Sequence, residues 1–454
     1  MTVSTEDTSG YVGNLTPSQE EKLRVFWNIV MQSWDPSLQG SGDSINSTGA
    51  SNTPKKSHRR FFSLSRSQCS PTEEETSAIP SNLLSSLKSL GAEANDLKTI
   101  QSLLAKFQGD SIRAACMSML KQDHPDALLL RFIRAEKWDI LKAWIKLVTA
   151  LDWRVNEFKV DEEVLSKGEA YWLEKSQLTD SSAERSDGEG FMKQLWTGKG
   201  HLHGCDKFGR PIIVARVRTH EPGTQTTKAL NDYIIHCIEL VRMLHVPPVE
   251  TIELAPVKFI IDGFQEYYPE TLGAMVFFNA PWIFSGFWKI ISGLLDPAVA
   301  AKVHFINDAK ALEQLIPQEH IIKELGGQED WEWEYIEPQP HENDRIHDTA
   351  TRDTILAERK TLSDTFFRVT AEWLSNPPSE DVIDRRDSVI KQLRENYWRL
   401  DPYVRSRSME DRLGVIKEGG LIDFYPPVAP VQAKDEEKAI SQQMGGISVG
   451  TVTA

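Results

Sequence analysis

The class of fold is decided by residues 203–217, which read HGCDKFGRPIIVARV. Asp206 to Gly209 combine a turn-forming aspartate with a glycine, a composition typical of a tight turn. The run of β-branched residues from Ile212 to Val217 predicts a strand that leaves this turn. We therefore expect a sheet to begin here.

Helices and strands alternate after that strand. The sequence predicts helices at about 228–244, 257–267 and 281–295, and short strands at about 274–279 and 302–306. Pro247 and Pro248 end the first of these helices, because proline cannot continue a helix. Strands that alternate with helices predict an α/β fold, in which helices cover a mainly parallel sheet.

Helical patterns flank this α/β segment on both sides. Leu141, Trp144 and Val148 recur at helical spacing before it, as Phe366 and Val369 do after it. A stretch rich in Ser, Thr, Asn and Gly near the N-terminus predicts a linker without a core of its own. The predicted units are an N-terminal helical segment (1–34), a disordered linker (35–80), a helical lobe (81–189), an α/β domain (190–335), a C-terminal helical hairpin (336–420) and a disordered tail (421–454).

The composition excludes several classes of protein. With 66 acidic against 51 basic residues, the net charge of −15 argues against nucleic acid as a partner. The four cysteines form no CxxC pair and no metal-ligand spacing, which fits a reducing compartment. The sequence shows no apolar signal core and no apolar run long enough to span a bilayer. We expect a cytoplasmic monomer whose membrane contact is peripheral and transient.

Signatures of catalysis and of metal binding are missing from the sequence. Ser285 and Ser292 lie outside any nucleophile-elbow pattern, and neither a P-loop nor a GxGxxG motif is present. His201 and His203 could bind a metal as a His-x-His pair, but no cysteine or carboxylate joins them at ligand spacing. Structural histidines are the favoured interpretation. The sequence therefore predicts no enzyme, no cofactor and no metal site.

Six motifs, taken in order, resemble the CRAL-TRIO family of lipid-binding proteins. LRFIRAEKWD at 130–139 is similar to the signature of the family's helical lobe, and residues 203–211 are similar to the hairpin that opens its lipid-binding domain. The other motifs are Tyr267-Tyr268-Pro269-Glu270, Asn279-Ala280-Pro281-Trp282, Leu295-Asp296-Pro297 and Leu325-Gly326-Gly327. Each motif alone is weak, but the ordered set is specific. The added C-terminal helices resemble a fungal subgroup of phosphatidylinositol-transfer proteins.

The resemblance implies a carrier that holds one phospholipid, with phosphatidylinositol favoured, and transfers it between membranes or presents it to lipid kinases. Burial of a lipid chain gains about 0.8 kcal/mol per CH₂, so a carrier needs an apolar pocket. In the family, the segment matching 281–295 is a gate helix over this pocket; an ordinary core helix is the alternative. The predicted pocket and gate residues are Phe277, Phe278, Trp282, Phe284, Phe287, Trp288, Ile291 and Leu294.

The resemblance also implies head-group residues. Glu270 and Lys302 match the family's Glu and Lys that contact the inositol phosphate, since Lys pairs with phosphate and Glu accepts sugar hydroxyl protons. The alternative interpretation is that Glu270 is a capping residue and that Lys302 is an exposed residue at the start of a strand. Glu136 stands where the family has an Arg, and we expect it to repel a phosphate, while the adjacent Lys137 could compensate. Val299 replaces a small hydroxyl residue, which removes one further donor.

One strand is missing from the predicted sheet. Only Val249-Glu250-Thr251-Ile252-Glu253-Leu254 separates Pro248 from Ala255, where relatives carry an apolar strand and a loop. Two acidic residues in so short a stretch do not suit a buried parallel strand. Either the gene model has lost coding sequence, or this protein has a weakened sheet and little capacity for lipid. We favour the first, because every other motif is retained.

Two other functions are compatible with the same fold. The first is a sensor of haem or another small hydrophobic ligand, for which Tyr267, Tyr268 and His236 are possible ligands. The second is a scaffold that binds no lipid and docks lipid kinases or membrane enzymes. Visible absorption of the purified protein and mass spectrometry of its organic extract distinguish these functions from lipid transfer.

Overall fold

The computed structural model describes residues 9–35, 79–216, 225–244, 266–280, 297–374 and 378–427, with positions 219, 223, 288 and 292. Most of the predicted linker, the segment predicted to lack a strand, and most of the helices predicted at 257–267 and 281–295 lie outside these residues. No helix in the described ranges is both long enough and apolar enough to cross a membrane.

Helices dominate the first half of the described chain. They are α1 (Pro17–Gln32), α2 (Ser81–Ser89), α3 (Ala94–Lys106), α4 (Gly109–Leu120), α5 (Pro125–Ala135), α6 (Ile140–Asp152), the π-helical turns Trp153–Glu157 and Val160–Leu165, α7 (Gly168–Ser176) and α8 (Ala183–Trp196). α1 begins with a capping box in which Thr16 and Gln19 bond each other's backbone amides. Asp139 caps α6 in a similar way, accepting a bond from the amide of Lys142 at 3.1 Å.

Four strands follow in the described part of the chain, in two pairs. β1 (Gly200–Cys205) and β2 (Pro211–Ala215) form an antiparallel hairpin, and β3 (Met275–Phe278) pairs in parallel with β4 (Val303–Ile306). The turn between β1 and β2 forms because the Asp206 carboxylate accepts bonds from the amides of Phe208 and Arg210. In chain order, α9 (Thr227–Met243) comes between the two strand pairs. α10 (Pro297–Ala301) precedes β4, and α11 (Ala309–Leu312) follows it. This α/β architecture with a helical lobe confirms the predicted fold class.

The C-terminal part is a helical hairpin of α12 (Thr349–Trp373) and α13 (Glu380–Leu400), followed by the short α14 (Met409–Arg412). The hairpin packs on α1–α6, and together these helices form the helical frame. Its core contains the rings of Phe26, Trp27 and Phe366, each at most 4% exposed. The carboxylate of Asp126 on α5 bonds the guanidinium of Arg386 on α13 at 2.6 and 2.8 Å. A buried ion pair therefore joins α5 of the helical lobe to α13 of the C-terminal hairpin.

The start of the predicted tail differs in the structure. Disorder was expected from residue 421, but residues 421–427 are described, and Ile422 forms a β-bridge with Ile416. The hydroxyl of Tyr425 donates to the carbonyl of Cys205 and accepts from its amide, both at 3.0 Å. These bonds hold the segment against the β1–β2 hairpin.

Candidate functional site

The β3–β4 pair has an aromatic face. Phe277 lies opposite Phe305 in the parallel register, and their rings stack with centroids 5.0 Å apart. The ring of Trp288 lies 5.8 Å from that of Phe305 and 6.2 Å from that of Phe277. Phe305 remains 39% exposed. We define Phe277, Trp288 and Phe305 as the aromatic face.

The opposite face of the pair is part of a core. Phe278, Val276 and Ile306 pack against a buried cluster that includes Leu312 and Leu315. Successive side chains of a strand point to opposite faces, so Phe277 and Phe278 cannot line the same side. The sequence predicts that Phe277 and Phe278 both line the lipid pocket. The structure instead packs Phe278 on the core, on the face of the strand pair opposite to Phe277. The sequence missed Phe305, which the same alternation could have found once β4 was paired with β3.

A pair of opposite charges lies beside the first residues of both strands. The carboxylate of Glu270 is 3.5 Å from the ammonium group of Lys302, which also donates to the carbonyl of Leu272 at 2.7 Å. Lys302 precedes β4, and its own carbonyl accepts from the amide of Met275 at 2.8 Å, where β3 begins. The two side chains are 21% and 23% exposed, so a ligand can reach both. The structure therefore brings together the two residues that the resemblance selected.

The segment that carries Glu270 is fixed to the helical frame. Tyr267 stacks on Trp153 with ring centroids 4.0 Å apart, and the Tyr268 hydroxyl lies 3.5 Å from the guanidinium of Arg154. Arg154 in turn bonds the Glu239 carboxylate of α9 at 2.7 Å. Burial raises the pKa of Tyr268 well above its usual value, so its phenol stays protonated. These contacts fix the position of the backbone just before Glu270.

Lys137 belongs to a different place in the fold. It lies in the turn between α5 and α6 with φ of 54°, and this turn is covered by the N-terminal segment. Lys22 donates to the carbonyl of Trp138 at 3.0 Å, and Arg134 donates to the carbonyl of Gly10 at 2.8 Å. The neighbouring Glu136 forms an ion pair with Lys146 at 2.7 Å. Its charge is thus compensated within the helical frame, which the sequence did not reveal.

The possible haem ligands do not converge. Tyr267 and Tyr268 contact Trp153, whereas the His236 ring lies 3.3 Å from the Glu169 carboxylate and packs on Phe191. No group of three or more metal-ligating side chains occurs among the described residues.

The two histidines of the His-x-His pair have separate structural partners. His201 is buried, and burial lowers its pKa to about 4, so the ring is neutral. Its Nδ1 bonds the carbonyl of Gly198 at 2.9 Å. His203 pairs with Glu329 at 3.0 Å and stacks on Trp331.

Much of the predicted gate lies outside the described residues. This applies to Trp282, Phe284, Phe287, Ile291 and Leu294, and to residues 249–255, where the strand is predicted to be missing. Both of these remain predictions from the sequence.

Comparison with protein families defines the class of this fold and site. A family model described as the CRAL/TRIO domain matches residues 195–255 and 249–327, and one described as the CRAL/TRIO N-terminal domain matches residues 83–149. The domain match is divided at residues 249–255, the same place at which the sequence is expected to lack a strand.

Individual relatives extend the similarity to nearly the whole chain. The phosphatidylinositol transfer protein CSR1 of Eremothecium gossypii is 32% identical over 90% of this chain and 98% of its own. A CRAL-TRIO domain-containing protein of Schizosaccharomyces pombe is 29% identical over 90% of this chain and 92% of its own. A second protein of that description and organism is 24% identical over 71% and 92%. The chain belongs to the CRAL-TRIO family.

Proposed function

We propose that this protein binds a single phospholipid, with phosphatidylinositol favoured, and transfers or presents it between membranes. The observation that carries the proposal is the Glu270–Lys302 pair beside the aromatic face. The relative aligned over 98% of its own length is itself named a phosphatidylinositol transfer protein. A binding role without catalysis is proposed on the same basis.

The aromatic face supplies the apolar part of the site. Phe277 and Phe305 stack, Trp288 packs edge-on against Phe305, and Phe305 is only partly covered by the described chain. Acyl chains that cover such rings remove apolar surface from water at roughly 25 cal/mol per Å². Because a two-chain lipid exposes far more apolar surface in water than in a pocket, the protein can carry it between bilayers.

The charged pair supplies the head-group contacts. The Lys302 ammonium group can bond a phosphate oxygen, and the Glu270 carboxylate can accept protons from the hydroxyl groups of a polyol. Each charge compensates the other when the site is empty, at a separation of 3.5 Å. A phosphoinositol group offers a hydrogen-bond partner to both, whereas phosphatidylcholine has a phosphate but no sugar hydroxyl groups. This difference favours phosphatidylinositol.

The mode of action follows from lipid exchange at a surface. We propose transient, peripheral membrane contact, action as a monomer, and lipid kinases as candidate recipients of the presented lipid. The overall charge of −15 opposes adsorption to anionic membranes, so the contact should be apolar or locally basic.

The test begins with the natural ligand. The full chain is purified, extracted with organic solvent and analysed by mass spectrometry, and transfer of labelled phosphatidylinositol and phosphatidylcholine between vesicles is measured in parallel. We expect one phospholipid per chain and faster transfer of phosphatidylinositol. A protein free of extractable phospholipid and inactive with both lipids would refute the proposal, and a Soret band would favour the haem sensor.

A further inference from the structure

A cavity of about 640 Å³ lies within the helical frame. None of its lining residues comes from β1–β4. Its walls come from α4, the π-helical turn Val160–Leu165, α12, the end of α13 and the segment that follows α13. Pockets for drug-sized ligands typically have volumes of about 300–1,000 Å³. Met117, Leu356, Leu400 and Val404 provide apolar lining. We define this space as the hairpin cavity.

The charges around the hairpin cavity do not balance. Its lining contains four cations: Arg113, Lys121, Arg359 and Lys360. It contains three carboxylates: Asp110, Asp161 and Asp364. Arg113 and Lys360 share the Asp364 carboxylate, and the Asp161 carboxylate is divided between Lys121 and Arg154. Counted over its lining residues, the cavity therefore has one more cation than carboxylates.

Arg359 is the strongest part of that excess. It is 7% exposed, and its guanidinium donates to the carbonyls of Leu393 at 2.9 Å and Lys121 at 3.0 Å. Within the described ranges, no carboxylate forms an ion pair with it. Burial lowers the pKa of Arg359 to about 10, and burial also lowers the pKa of Lys121. Both shifts show that burial disfavours the charged forms, a cost that a bound anion would offset.

We propose that the hairpin cavity is a second ligand site that takes a small amphipathic anion, with the anionic group near Arg359 and Lys121 and the apolar part against Met117, Leu356 and Leu400. Phosphate and carboxylate head groups share the chemistry that these cations recognise. The site is independent of the proposed lipid site, because none of its lining residues belongs to β3 or β4.

The geometry suggests where binding can be disrupted without unfolding the chain. Arg359 is a poor choice for substitution, because its bonds connect α12 to α4 and α13. Leu356 lines the same cavity but is 40% exposed, so a polar residue there should be tolerated. The matched pair Leu356→Asp and Leu356→Asn differs by one negative charge at nearly constant volume.

The experiment uses isothermal titration calorimetry of the full chain with octyl phosphate, octanoate, octanol and inorganic phosphate, all below micellar concentrations. We expect octyl phosphate or octanoate, or both, to bind at least tenfold more tightly than octanol and inorganic phosphate. The Asp variant should bind the anions at least tenfold more weakly than the Asn variant. Circular dichroism should show the same melting temperature for both variants.

The controls separate this site from the lipid site. Lys302→Ala combined with Glu270→Ala should leave octyl phosphate binding unchanged, and Leu356→Asp should leave phosphatidylinositol transfer unchanged. Equal affinities of the folded Asp and Asn variants would overturn the proposal, as would a wild-type chain that binds neither anion. Loss of octyl phosphate binding in the double variant would overturn it too, by assigning the ligand to the strands. None of these results affects the proposed transfer function.

Discussion

The helical frame buries its large rings and the Asp126–Arg386 ion pair, whereas the β3–β4 pair leaves Phe305 39% exposed beside a partly exposed ion pair. In the frame, the buried Asp126 carboxylate accepts hydrogen bonds from both Arg386 and Trp27. Around the strands, polar and aromatic groups remain within reach of a ligand. The difference predicts that the stability of the frame and the binding of a ligand at the strands depend on separate residues. Mutations can therefore test the two regions independently.

The largest effect is expected at the ion pair that joins α5 to α13. In Asp126→Ala, Arg386 loses two bonds, and the indole of Trp27 loses its acceptor at 2.6 Å. Removing one partner of a buried pair typically costs about 3–5 kcal/mol. We expect a loss of that size in urea unfolding followed by tryptophan fluorescence.

A surface pair on the same hairpin provides the control. Glu358 and Arg399 are 44% and 58% exposed and lie 3.0 Å apart, so Glu358→Ala should cost less than about 1 kcal/mol. If the two substitutions destabilise the protein equally, the frame does not depend on its buried charges.

The same aspartate predicts a dependence of stability on pH. Burial alone would raise its pKa, but the charge and hydrogen bonds of Arg386, together with His124 and the bond from Trp27, outweigh burial and lower the pKa from 3.8 to about 2. Because the folded-state pKa lies below the unfolded one, the stabilisation is complete above about pH 4 and is lost as pH falls towards 2. Asp126→Asn should lack this part of the acid dependence. The test compares the free energy of unfolding of the wild type and of the variant as a function of pH.

The two faces of β3 should respond differently to truncation. Phe278 packs on the cluster around Leu312, so Phe278→Ala should cost about 2 kcal/mol, less than a fully buried Phe because the ring is only partly buried. Phe277→Ala removes a ring of the aromatic face and should lower lipid affinity more than Phe278→Ala does. Urea unfolding and lipid binding are measured on both variants. A larger loss of lipid affinity in Phe278→Ala would reverse the assignment of the faces.

A smaller effect is expected at the charged pair. Lys302→Ala combined with Glu270→Ala should slow phosphatidylinositol transfer about tenfold, the equivalent of about 1.4 kcal/mol, because charge-assisted bonds to the head group are lost. Both charges are removed together, so neither is left unpaired, and the unfolding free energy should change little.

The matched control is the exposed pair Lys323–Asp330, which lies in the same domain at 2.8 Å. Alanine at both of its positions should leave transfer unchanged. Unaltered transfer by the Lys302/Glu270 variant would remove these residues from the head-group site.

Sequence reasoning succeeded where the signal is local. The Asp206 turn and the strand after it are set by residues within a few positions of one another. It failed where partners are distant, because Asp126 and Arg386 are 260 residues apart and neither shows a pattern of its own. Glu270 and Lys302 were selected together only through a family resemblance. Their approach to 3.5 Å depends on the pairing of two strands, which spacing alone cannot supply.

The smallest effect is expected at Glu136, where sequence and structure make opposite predictions. If the side chain faced a head group, as its position in the motif implies, Glu136→Gln would remove a repulsion and strengthen phosphatidylinositol binding. The structure instead pairs Glu136 with Lys146 at 2.7 Å, with side chains 20% and 18% exposed. We therefore expect affinity to change less than twofold and stability to fall by about 1 kcal/mol or less. Vesicle binding and urea unfolding of Glu136→Gln decide between the two predictions. A several-fold gain in affinity for phosphatidylinositol at unchanged stability fits only a carboxylate directed at the lipid.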